Sequence, residues 1–314
     1  MPPLGAGSAP FIVVARGASR LADDRRRASL VATAAAAVEA RTGRSPEIRE
    51  TATPAEGRAA TAEALGSSAS LVVVVGGDGS VRATAAALAG TGVVLGIVPA
   101  GTGNLLAAAL AIPRRPERAA AALAAARART IDLGRASVGH ADTQLLPFVV
   151  AAGVGFDARV MAATTDRRKR SLGIGAYFAA ATAVAARMRP FGVRLDIDGT
   201  IHETDALAVL VVNAGELIPG LLRPRLPLVP DDGVLDVLVA RGGGAVGGSR
   251  AAIELLLGRG RHTAIGPYAS RFAAHRVEVL ADGGEPVEVD GDVVGTGRLV
   301  AEVEPAAIRV LVPA

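Results

Sequence analysis

Short apolar runs alternate with longer alanine- and leucine-rich stretches through the first part of the chain. Phe11–Val14, Leu71–Val75 and Val93–Val98 are continuous, rich in β-branched residues and flanked by glycine or proline. Such runs read as strands buried on both faces of a parallel sheet. Pro46–Thr51 reads as a further strand. Leu21–Ala40, Ala55–Leu65, Val81–Leu88, Leu105–Leu110 and Pro116–Arg129 read as helices, with Thr53 and Pro54 starting the second. Strand–helix alternation of this kind predicts a doubly wound parallel α/β domain over residues 1–130.

The pattern changes after that point. Ile131–Ser137, Leu145–Ala151, Val193–Asp198, Thr200–Glu203, Ala206–Val212, Val234–Val239, Val277–Leu280, Pro286–Val289, Leu299–Val303 and Ile308–Val312 read as short strands. Asp198-Gly199 and Asp282-Gly283-Gly284 are turn signals between them. Two helical stretches interrupt the strands, Ile174–Arg187 and Ala251–Leu257. Residues 131–314 are therefore expected to form a C-terminal β-sandwich domain. The fold class is α/β plus β.

Composition narrows the chemistry. The 314 residues are 50% hydrophobic, which suits a full core. Cysteine is absent, so disulfides, thiolate metal sites and cysteine nucleophiles are excluded together. Aromatic residues are 3% and tryptophan is absent, which argues against stacking on nucleic-acid bases, and no nucleic-acid partner is expected. Lys169 is the sole lysine, so a lysine P-loop or Schiff-base chemistry has almost no material to work with. The formal net charge of +4 suits anionic substrates or lipid headgroups. The uncharged stretch Ala83–Pro113 is broken by glycines, prolines and Asn104, so it is not expected to span a membrane. No signal peptide is expected. The expected location is cytoplasmic, peripheral to the inner face of the membrane.

Two glycine loops carry the functional signal. Gly76-Gly77-Asp78-Gly79-Ser80 follows the run Leu71–Val75, and Pro99-Ala100-Gly101-Thr102-Gly103-Asn104 follows Val93–Val98. Each leads into a helical stretch. Neighbouring strands would present both loops at one sheet edge, where open α/β sheets bind ligands. Glycines let backbone N–H groups approach phosphate oxygens, and a helix N-terminus favours an anion. The pair reads as a nucleotide phosphate site. The four histidines, His140, His202, His262 and His275, have no metal-ligand spacing.

The order of these and later motifs resembles the diacylglycerol kinase catalytic-domain family, which includes bacterial lipid kinases and sphingosine kinases. The resemblance rests on the two loops with Leu105, on Gly153-Val154-Gly155-Phe156-Asp157-Ala158 and on Asn213-Ala214-Gly215. It continues at Pro230-Asp231-Asp232-Gly233-Val234-Leu235-Asp236 and at Val289-Asp290-Gly291-Asp292. It implies a first domain like those of NAD kinases and phosphofructokinases, and an ATP- and Mg²⁺-dependent kinase acting on a lipid hydroxyl at a membrane surface. Diacylglycerol or a sphingoid base is the implied acceptor class. By resemblance, Gly76, Gly77, Asp78, Gly79, Ser80, Thr102, Asn104 and Thr53 face the nucleotide. Asp232 holds a magnesium ion, with the main-chain carbonyls of Val229 and Val234 beside it. Asp292 stands where the family has a glutamate proposed as base, and Asp78 acts near the phosphates or the attacking hydroxyl.

Arg16-Gly17-Ala18-Ser19 replaces the family's Asn-Pro turn, and Gly17 and Ser19 would serve part of its role. Arg167, Arg168, Lys169 and Arg170 form a basic run that reads either as contact with an anionic surface or as a solvated helix start. A sheet edge is the candidate surface for a homodimer. Two other readings stay open: an NAD kinase-like enzyme, and a non-catalytic nucleotide or lipid sensor.

Overall fold

A computed structural model describes residues 9–139, 145–155, 189–215, 228–242, 247, 250, 251, 253, 254, 263, 264 and 267–314. Two compact units emerge: residues up to Leu133 together with Ala306–Ala314, and Gly134–Pro305.

The first unit contains β1 (Phe11–Ala15), α1 (Asp24–Thr42), β2 (Glu47–Thr51), α2 (Pro54–Gly66), β3 (Leu71–Gly76), α3 (Asp78–Leu88), β4 (Val94–Pro99), α4 (Leu105–Ala109) and α5 (Pro116–Ala122). Strands β2, β1, β3 and β4 lie in that order, all parallel. Every residue of β3 and β4 is buried, as expected of strands covered on both faces. Local chemistry sets the helix ends. The Asp23 side chain accepts from the Arg26 N–H at the start of α1, and Gly43 closes it at φ +72°, where a side chain would be strained.

Helix α5 is shorter than the alanine-rich sequence predicts. It ends at Ala122, and β5 (Arg127–Val138) begins where helix was expected. A guanidinium from another helix explains the stop: Arg41 Nη1 donates to the carbonyls of Leu123 (3.3 Å) and Ala126 (2.5 Å), closing the helix end. Ile131 and Leu133 are then fully buried as strand residues.

The second unit contains β6 (Leu146–Phe148), β7 (Ala151–Gly155), β8 (Phe191–Ile197), β9 (Thr200–Ala206), β10 (Ala208–Val212), β11 (Leu235–Ala240), β12 (Thr263–Ala264), β13 (Ala269–Ala274), β14 (Arg276–Ala281), β15 (Pro286–Val289), β16 (Asp292–Thr296) and most of β17 (Arg298–Val312). One antiparallel sheet runs β12-β13-β11-β10-β7-β15-β16. The other brings β17, β14, β8 and β9 together antiparallel. Val154, Val209, Val237 and Val287 of the first meet Leu195, Val277, Val279 and Leu299 of the second in one buried core. This is a β-sandwich.

The single expected strand Leu145–Ala151 is two strands, β6 and β7. The two expected strands Leu299–Val303 and Ile308–Val312 are one, β17, which carries Ala306 at φ +51°. The Ala306 N–H donates to the Asp132 carboxylate (2.7 Å), and beyond it Arg309 and Val310 run parallel beside Val94 and Leu95. Strands β12, β13 and β16 were not expected. Helix Ile174–Arg187, and most of Ala251–Leu257, fall outside the described residues. Among those described, no helix is long and apolar enough to cross a membrane.

Gly134 lies under the buried ring of Phe148, and a Cβ there would overlap the ring. Gly134→Ala should cost about 1–3 kcal/mol by overpacking. Gly66, at the end of α2 with open space around it, is the control. Gly66→Ala should be neutral or stabilise by about 0.4–1 kcal/mol. Thermal and urea unfolding of the two variants would separate them, and equal midpoints would contradict this packing.

Candidate active site

The register Gly76↔Pro99 ends β3 and β4 at the same level, so both glycine loops leave one sheet edge together. They touch backbone to backbone. A Cβ on Gly101 would stand 2.6 Å from Gly77 Cα, and one on Gly77 would stand 3.2 Å from Gly101 Cα. No side chain fits there, because neither main chain can yield without moving a strand end.

Asp78 opens α3 and ties the loops. Its Oδ2 accepts from the Asn104 N–H (2.7 Å) and its Oδ1 from the Leu105 N–H (2.6 Å). Those amides begin α4, so a protein carboxylate already fills that helix end. Burial raises the Asp78 carboxyl above its ordinary pKa, and the N–H bonds from Leu105 and Asn104 pull it partly back. Asn104 sits in the left-handed region at φ +53°. Its Oδ1 accepts from the Gly101 N–H (2.9 Å) and its Nδ2 donates to the Gly101 carbonyl (2.8 Å), which closes the second loop on itself.

Helix α3 is treated differently. Gly77 at its N-cap has no side chain to cap the 11-residue helix, and the acidic residue in its first turn is Asp78, whose two oxygens already accept from the amides of α4. Gly79 and Ser80 lie in its first turn, Gly79 exposed and Ser80 half-buried. A Cβ on Gly76 would meet Ser80 Cβ at 3.0 Å, so the strand end is pressed against that turn. Thr102 is exposed, with its Oγ1 3.3 Å from Ser19 Oγ. The Arg20 N–H donates to the Ala100 carbonyl (3.1 Å). The turn that departs from the family sequence is thus joined to the second loop.

Thr53 has a local occupation. Its hydroxyl accepts from the Glu56 N–H (3.2 Å) and donates to Glu56 Oε1 (3.1 Å), while Glu56 Oε2 accepts from the Ala52 N–H (2.8 Å). This is a capping box at the start of α2.

The remaining predicted residues belong to the second unit. Asp232 is exposed, and its Oδ1 accepts from the Val234 N–H (3.3 Å) in a turn where Gly233 adopts φ +76°. Val229 and Val234 flank that turn half-buried. Among the described residues no group of three His, Asp or Glu side chains is placed to hold a metal. One carboxylate with main-chain carbonyls is still a hard-oxygen donor set, which suits Mg²⁺ when waters or phosphates complete it. Asp292 is exposed at the first position of β16, just after a hairpin turn with Asp290 at φ +48° and Gly291 at φ +86°. Asp157 and the basic run Arg167–Arg170 lie outside the described residues.

Sequence reading missed the bonds of Asp78, whose partners are 26 and 27 positions away. It also missed the buried ion pair between Arg271 Nε and Asp236 Oδ1 (2.8 Å). The one available signal was Asp236 itself, a charge inside an apolar run.

Comparison with known proteins agrees with this arrangement. Residues 22–136 match the model of the diacylglycerol kinase catalytic domain. Residues 149–312 match that of the YegS C-terminal NAD kinase beta sandwich-like domain. A probable lipid kinase YegS-like of Pseudomonas aeruginosa is 33% identical over 287 residues, 90% of this chain and 89% of its own. The uncharacterized protein sll0036 of Synechocystis is 27% identical over 79% of this chain, and there the chain spans only 56% of the relative's length. The crystal structure of a putative diacylglycerol kinase from Bacillus anthracis superposes with a TM-score of 0.76 at 20% identity, covering 98% of each chain, which shows a shared fold. A glycine-loop α/β unit followed by this sandwich defines a kinase. The chain belongs to the YegS-like lipid kinases of the diacylglycerol kinase catalytic-domain family.

Asp78→Asn should expose the carboxylate's structural role. An amide offers one oxygen and sets its NH₂ against a backbone N–H, so about 1–3 kcal/mol of stability should be lost. Urea unfolding followed by circular dichroism reads this. An unchanged midpoint would show that the carboxylate does not hold the loops.

Proposed function

We propose that the chain transfers the γ-phosphoryl group of ATP, with Mg²⁺, to a hydroxyl of a lipid such as diacylglycerol or a sphingoid base. The observation that carries the nucleotide half is the asymmetry of the two helix ends. Asp78 fills the N-terminus of α4, while α3 begins at Gly77 without a side-chain cap. An anion supplied from outside is the natural complement to that uncapped end.

On this reading the amides around Gly76, Gly77 and Gly79 take the phosphate oxygens, and the hydroxyls of Ser80 and Thr102 add hydrogen bonds. Asp78 and Asn104 hold the loops in register rather than take part in the transfer. Thr53 sets the start of α2 on the nucleotide side. Asp232, with the carbonyls of Val229 and Val234, would hold a cation, and Mg²⁺ bound with the nucleotide would neutralise charge on the phosphates. Asp292 accepts the proton of the attacking hydroxyl. Its side chain is one methylene shorter than the family glutamate. A misplacement of about 1 Å can cost on the order of a hundredfold in rate, so the backbone at this hairpin must carry the carboxylate to its place. The lipid acceptor implies work at a membrane surface, on the cytoplasmic side. Homodimerisation through a sheet edge remains part of the proposal.

The test is transfer of labelled γ-phosphate from ATP with Mg²⁺ to a total lipid extract, with NAD and fructose 6-phosphate in parallel. Labelled lipid is expected. It should vanish with chelator and fall on the order of a hundredfold or more in Asp292→Ala. Label on NAD would favour an NAD kinase-like activity. ATP binding without any transfer would favour a sensor.

A further inference from the structure

We infer that Asp290 is a positioning residue, which with Asn213 clasps the turn Val149–Ala151 and so fixes where Asp292 stands. This rests on the reading of Asp292 as the base. The Asp290 Oδ2 accepts from the Val149 N–H (2.9 Å), and its Oδ1 accepts from the N–H groups of Val150 (2.9 Å) and Ala151 (3.0 Å). The Asp290 N–H donates back to the Ala151 carbonyl (2.8 Å).

Asn213 grips the same turn through its carbonyls. Its Nδ2 donates to Val149 O (3.1 Å), and the N–H groups of Asn213 (2.9 Å) and Ala214 (3.2 Å) donate to Val150 O. Three segments distant in sequence therefore meet at the turn Val149–Ala151.

The chemistry separates Asp290 from its neighbour. Both of its oxygens are committed to backbone amides of the turn, an arrangement that serves to hold position. Asp292, two residues on, is exposed at the start of β16. Asp290 at φ +48° and Gly291 at φ +86° form the left-handed pair that an Asp-Gly hairpin turn favours. The Gly291 N–H donates to the buried Glu288 at Oε2 (2.6 Å), which pins the other half of the turn. A two-residue turn held only by its own hairpin would leave Asp292 to drift, and small displacements are costly in catalysis.

The test compares Asp290→Asn, Asp292→Ala and the double variant in the full chain. Asparagine offers one acceptor oxygen to converging donors. Asp290→Asn should lower kcat about tenfold or more with KM for ATP little changed. The double variant should be no slower than Asp292→Ala, because Asp290 acts through Asp292. A further loss in the double variant would overturn the inference and place Asp290 in the reaction itself.

Amide hydrogen exchange gives a readout independent of catalysis. Protection should fall at Val149–Ala151 and around Asp292 in Asp290→Asn, and stay unchanged in β3. Unchanged protection at the turn would overturn the clasp. Asn213→Ala, which removes only one grip, should shift exchange at the same amides and serves if Asp290→Asn does not fold. Absence of transfer by the unaltered chain would count against the kinase reading alone, leaving exchange to decide the clasp.

Discussion

The approach of Gly77 to Gly101 is the constraint on which the first unit's chemistry depends. Two main chains lie so close that a Cβ on Gly101 would be 2.6 Å from Gly77 Cα. That spacing puts Asp78 within reach of the amides that start α4, and it leaves the start of α3 beside them without a side-chain cap. The loops can come this close because neither carries a side chain at the Gly77–Gly101 contact. The rigidity of the loops and the proposed phosphate site therefore rest on the same feature.

The second unit solves a similar problem with opposite means. Its hairpin carries carboxylates rather than glycine amides, and three backbone N–H groups are consumed in fixing one of them. In both units an aspartate is spent on geometry: Asp78 on a pair of loops, Asp290 on a turn. The carboxylate offers more acceptor positions than any neutral side chain of its size, which suits it to joining backbone segments just beyond the end of the ladder they share.

What the sequence made legible follows from how locally each feature is determined. Strands β3 and β4 announced themselves because continuous valine and isoleucine runs have few alternatives to a buried parallel strand. The Asp198-Gly199 hairpin was equally local, with φ of +48° and +87° as its residue types demand. Strand β13 was hidden because Arg271 interrupts Ala269–Ala274 with a charge, and the Asp236 carboxylate, 35 positions away, pairs with that charge in the interior. The end of α5 was misplaced because alanine favours helix wherever nothing opposes it, and the opposing group is Arg41 on another helix.

The candidate site divided in the same way. The glycine loops were visible as spacing after strands. The bonds that give Asp78 and Asn104 their roles were not, because they depend on the register of β3 against β4 rather than on any neighbouring residue. Thr53 shows the reverse: its capping partner Glu56 was readable three positions on, and it accounts for the hydroxyl without any ligand.

Calorimetric titration of ATP with Mg²⁺ into the unaltered chain and into Gly101→Ala tests the central claim most directly. The account predicts measurable binding by the former and a loss of about tenfold or more, roughly 1.4 kcal/mol, in the variant, with its circular dichroism spectrum retained. Equal affinity in the two proteins would contradict it, because the added methyl group must part the loops that are held to form the phosphate site.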